Sequence, residues 1–101
     1  MNRTLQDRTQ QQMPKTASFC DREIARQGHL IHKLKAKDSS GRWAYYFVLV
    51  QPSCEKKFHA AIGGEGMIDL EDFGRVIASN YGEQPTEATR TFLKQKYGFD
   101  V

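Results

Sequence analysis

The chain has little of what most readily betrays a function. Its 101 residues include two cysteines, Cys20 and Cys54, 34 positions apart, three prolines and one tryptophan. A small secreted domain needs more staples than one bridge. Both thiols are therefore expected free, and the protein cytoplasmic. No apolar stretch approaches the roughly 18 residues that cross a bilayer. The N-terminus lacks the apolar core of a signal peptide, so no membrane partner is expected.

Charge of one sign is also scarce. The formal net charge is +3 and the pI about 9.0, a weak pointer to anionic partners. The charge is unevenly spread. Residues 1–42 hold nine Lys/Arg against four Asp/Glu, and residues 43–101 hold six against eight. Such halves attract each other within one fold as readily as they attract a partner.

The motif inventory is thin. Gly63-Gly64-Glu65-Gly66 follows a helix end, where carbonyls point outward, whereas phosphate loops present N–H groups at a helix start. Gly66 and Asp72 match two positions of a calcium-binding loop, but Ala61 and Gly63 would stand where oxygen ligands are needed. Cys54 and His59, five apart on a helix, are about 140° off a common face. Two separated cysteines with His29, His32 and His59 fall in no zinc-ligand spacing. The sequence therefore predicts no enzyme, no cofactor and no metal.

What is present begins with Trp43-Ala44-Tyr45-Tyr46-Phe47-Val48-Leu49-Val50, eight apolar or aromatic residues with no charge and no breaker. In a chain of mean hydropathy −0.67 this run is where the core starts. Before it, Leu30, His32, Leu34 and Ala36 alternate with Ile31, Lys33, Lys35 and Lys37, the period of a half-buried strand. Asp38-Ser39-Ser40-Gly41 supplies turn chemistry. The two segments predict an antiparallel hairpin.

Helices are expected around it. Cys54, Phe58, Ala61 and Ile62 make one helical face after Pro52-Ser53, with Ser53 as cap and Gly63-Gly64 as stop. Asp69 to Tyr81 reads as a second helix, with Leu70, Phe73, Ile77 and Tyr81 on one side. Gly74 and β-branched Val76-Ile77 leave a strand over Arg75–Ser79 as the alternative. Pro85-Thr86 starts a third helix near 86–97, buried by Ala88, Phe92 and Leu93, with Gly98 and Phe99 closing it. A short helix ending at Gly28 is expected from Thr16 or Ser18. Residues 1–16 read as a disordered arm and 17–101 as one small domain. The fold class is thus α+β: a two-layer arrangement of an antiparallel hairpin packed with about three helices.

The central run has two sticky faces. Helices cover one; the other carries Trp43, Tyr45 and Phe47 beside Lys33, Lys35 and Arg42. These six are the candidate binding residues. The uses open to that face are burial by residues 17–27, burial against a second copy or another protein, and stacking of nucleic-acid bases between basic side chains. An exposed patch of this size is unusual on a monomer, and an unprotected run like this aggregates. The reading is therefore a small non-enzymatic module acting through protein–protein contact, with a single-stranded nucleic-acid binder as the alternative.

Overall fold

The hairpin forms where the alternating segment meets the apolar run. The computed structural model of the chain describes residues 12–14, 19–24, 30–37, 40–64 and 67–101. Strand β3 (Leu30–Lys37) pairs antiparallel with β4 (Trp43–Val50) along its full length, from Leu30 opposite Val50 to Lys37 opposite Trp43. Gly41 takes φ +87 in the connection, a conformation that favours glycine.

The sheet is larger than a hairpin. Strand β2 (Phe19–Ile24) adds to the outer edge of β3, and β6 (Gly74–Tyr81) pairs with the other side of β4. The order β2-β3-β4-β6 is antiparallel throughout. The unbroken apolar run is thus an interior strand, paired on both edges. A separate two-stranded ribbon joins β1 (Gln12–Pro14) to β5 (Met67–Asp69). Of the arm expected over 1–16, Gln12–Pro14 form β1, and the rest lie outside the described residues.

Two helices are present among the described residues, α1 (Glu55–Ile62) and α2 (Glu87–Tyr97), not three. They pack on opposite faces of the sheet. On one face Phe58 of α1 joins Leu34, Ala36, Tyr46, Val48, Val50, Ile68 and Leu70, with Cys54, Ala61 and Ile62 packed alongside. On the other, Leu93 of α2 joins Ile31, Tyr45, Phe47 and Ile77, with Tyr97 and Phe99. The two-layer expectation therefore gives way to a sheet covered on both faces. The physical reason is the one that made β4 conspicuous: a strand apolar on both sides needs both sides covered.

The expected helix over 69–81 is a strand preceded by one helical turn. Asp69 does act as a cap, its Oδ1 accepting from the Glu71 N–H at 3.1 Å, but only for the 3-10 turn Leu70–Asp72. A bulge ends the helical resemblance. Phe47 pairs with Ala78 while Val48 pairs with Val76, so Ile77 is an extra residue on β6. Ile77 and Ala78 then join the same α2-side cluster. That insertion breaks period two and turns Ile77 to the face opposite Phe73 and Tyr81, with which a helix would have aligned it.

Three smaller expectations are corrected. Residues 19–24 of the supposed 17–27 helix are an edge strand, because pairing to β3 supplies backbone partners that local propensity does not foresee. Ser53 does not cap α1. Pro52–Cys54 form a 3-10 turn whose Cys54 N–H reaches the Gln51 carbonyl at 2.8 Å, and Cys54 takes the cap position without a side-chain bond. On α2 the buried stripe is Thr89 and Leu93 with Tyr97, while Phe92 is 41% exposed and Ala88 is exposed. Thr86 caps that helix through Thr89 N–H at 3.2 Å. Gly98 closes it at φ 66, with the Phe99 N–H returning to the Leu93 carbonyl at 3.2 Å. No helix among the described residues is long and apolar enough to cross a membrane.

Candidate functional site

The six residues singled out from the sequence do not form one open face. Tyr45 and Phe47 are buried under α2, at 6% and 0% exposure. Among the described residues, their cover is the helix α2 and the residues that follow it. Trp43, one step nearer the turn, is half-buried. The ammonium groups of Lys35 and Lys37 stand 5.2 and 5.6 Å from its ring centroid. Lys35 also lies 3.3 Å from Glu83. Arg42 sits on the Tyr81 ring, 3.7 Å from its centroid. Lys33 is half-buried, opposite Phe47. The end of the hairpin is therefore basic and carries two aromatic rings, while its middle is core.

A second constellation was not singled out from the sequence. The alternation of β3 puts His32 on the α1 face with Leu34 and Ala36, fully buried. Its ring meets Phe58 edge-on, centroids 4.9 Å apart. Glu55, in the first turn of α1, lies above it, and a carboxylate only accepts, so His32 donates Nε2–H to Glu55 Oε1 at 3.2 Å. One helical turn on, His59 Nε2 is 3.3 Å from Glu55 Oε2. From the neighbouring strand Arg22, the cross-strand partner of His32, donates to the same Oε2 at 3.1 Å. The two imidazole rings are 5.1 Å apart.

Electrostatics in this cluster follow from burial. Desolvation holds the His32 imidazole below its ordinary pKa, against the raising effect of its bond to Glu55. Desolvation pushes the Glu55 carboxyl up, but the bonds from His32 and Arg22 and their charges outweigh it and keep it below the usual carboxylate range. The result is a carboxylate held between a buried imidazole, a half-exposed imidazole and a guanidinium. Such a set can tie a helix to a sheet, and it can also ligate a cation.

The sequence carried part of this signal. Glu55 and His59 are i, i+4 on one helix, a spacing that places two side chains together. His32 is 23 positions before Glu55, and only strand alternation plus the placing of α1 brings it in. Cys54 meanwhile packs with the core around Phe58. Comparisons with protein-family models, with curated proteins and with solved structures each return no match, so the reading of these sites rests on their own geometry.

Proposed function

We propose that this domain is a non-enzymatic binding module for single-stranded nucleic acid, acting through the basic, aromatic end of the hairpin. The observation that carries the reading is Trp43, only half-buried, with the Lys35 and Lys37 ammoniums over its ring. Bases stack on aromatic rings, and neighbouring cations meet the phosphates. Arg42, exposed and stacked on Tyr81 at the same end of the sheet, extends the cationic surface. Tyr45 and Phe47 take no part, since α2 lies on them.

Trp43 is the only tryptophan, so its fluorescence reports directly on stacking. Titration with a short single-stranded oligonucleotide should quench it. Affinity should fall as salt rises, with a log–log slope of about −2 for three phosphate contacts. Trp43→Ala should weaken binding by about 1–3 kcal/mol. Fluorescence that does not respond to oligonucleotide at low salt would dispose of the reading.

Contact with another protein is the second reading. The observation favouring it is Phe92, 41% exposed on α2, its ring centroid 6.1 Å from that of Tyr97. An apolar contact of that kind is nearly indifferent to salt.

A further inference from the structure

We propose that His32, Glu55 and His59 form a binding site for one divalent transition-metal ion, with zinc the best fit. The three residues offer two imidazole nitrogens and one carboxylate oxygen, all within 4.8 Å of one another. That donor set suits zinc, which takes nitrogen and oxygen ligands without geometric preference of its own.

The spacing supports the assignment. Zinc bonds of about 2.0–2.1 Å at tetrahedral angles set neighbouring ligand atoms about 3.3 Å apart. His32 Nε2 lies 3.2 Å from Glu55 Oε1, and His59 Nε2 lies 3.3 Å from Glu55 Oε2. The two contacts are to different oxygens of the carboxylate, so His59 has to turn toward Oε1 as well as toward the His32 ring. The side chain of His59 is 47% exposed and has room to turn, whereas that of His32 is fully buried and fixed against Phe58.

The site is graded in exposure. His32 forms its inner wall, Glu55 at 16% its middle and His59 its mouth. An ion can enter from the solvent side, and three protein ligands leave a fourth position for water. Arg22 holds Oε2, fixing the carboxylate as partners behind metal ligands do. Its charge weakens the site without filling it, because Oε1 is the oxygen it does not hold. Ligation through Nε2 displaces the proton that His32 otherwise donates to Glu55 Oε1, since metal binding competes with protons at imidazole nitrogens.

The competing account is an ion-pair network that only clips α1 to the sheet. Both accounts use the Arg22–Glu55 bond. They part on His59, which a clip does not need and a metal site does.

Cobalt is the probe. The full chain, stripped with a chelator, is titrated with Co²⁺ and then competed with Zn²⁺. The expected result is one equivalent of cobalt with the visible d–d absorption of a low-coordinate nitrogen and oxygen site. It shows no thiolate-to-cobalt charge transfer and is displaced by zinc. His59→Ala and Glu55→Gln should each weaken Co²⁺ binding by about tenfold or more, a scale on which even outer partners of metal ligands act. Cys54→Ser should leave it unchanged. Melting curves in chelator show whether each variant is folded; His59 is exposed, so its replacement tests the site without touching the core. Wild-type protein that takes up no cobalt, a thiolate charge-transfer band, or unchanged affinity in folded His59→Ala would each overturn the proposal.

Discussion

Phe58 stands edge-on to His32, ring centroids 4.9 Å apart and planes at 71°, and so joins the packing of α1 to the polar cluster above the sheet. The same ring meets Phe73 at 5.7 Å. It is the one fully buried side chain of α1. Phe58→Ala should therefore cost about 3–5 kcal/mol, a large share of a small domain's stability. Urea unfolding measures it; an unchanged midpoint would mean that α1 is not packed where Phe58 places it.

Neighbouring residues on α2 should behave oppositely. Leu93 is fully buried against Tyr45, Phe47 and Ile77, while Phe92 points outward. Leu93→Ala should cost about 2–5 kcal/mol. Phe92→Ala should stay within about 0.5 kcal/mol, as surface changes usually do. A reversal of that ranking by thermal melting would mean that the helix is rotated about its axis.

Glycines 74 and 63 make a second contrast. A methyl group on Gly74 would run into the backbone carbonyl of Leu49, and backbone in the middle of a sheet cannot step aside. Gly74→Ala should cost about 1–3 kcal/mol or more. At Gly63 the added carbon meets only ordinary contact, 3.5 Å from the His59 carbonyl, and φ is negative. Gly63→Ala should be neutral or stabilise by up to about 1 kcal/mol. Denaturant midpoints of the two variants check both signs.

The start of α2 is held by side chains. Thr86 Oγ1 accepts from Thr89 N–H, and the Thr86 N–H is bound by Asn80 Oδ1 at 3.2 Å. Asn80 is itself buried, with its amide nitrogen on the Tyr81 and Gln84 carbonyls at 2.8 and 2.9 Å. Thr86→Ala should cost about 0.5–2 kcal/mol, and Thr86→Ser should recover most of it. Equal loss in both variants would assign the effect to packing of the Thr86 methyl rather than to the cap.

These contrasts track what was legible in the residues. The hairpin could be read because alternation, turn chemistry and an apolar run coincide over 30–50. The α1 stripe and the caps of α2 were readable because each signal lies within a few residues of the element it governs. Strand β2 was not, since neither of its alternating sets is apolar and its stability comes from pairing to β3. Strand β6 was hidden by its bulge. The cover on Tyr45 and Phe47 was unreadable for a different reason. Nothing local to 43–50 says which distant segment will lie on it. The His32–Glu55–His59 cluster shares that difficulty, since one ligand belongs to the sheet and two to a helix that follows it.

That α2 follows every described strand has a consequence for the order of assembly. A ribosome finishes β3, β4 and β6 before it makes Leu93. The sheet can pair while one aromatic face is still bare, and only the arrival of the final helix seals it. A truncated chain that ends before residue 87 would display Tyr45 and Phe47 to other chains or to chaperones. Docking of α2, rather than sheet pairing, marks the moment the domain stops being a hazard to its neighbours.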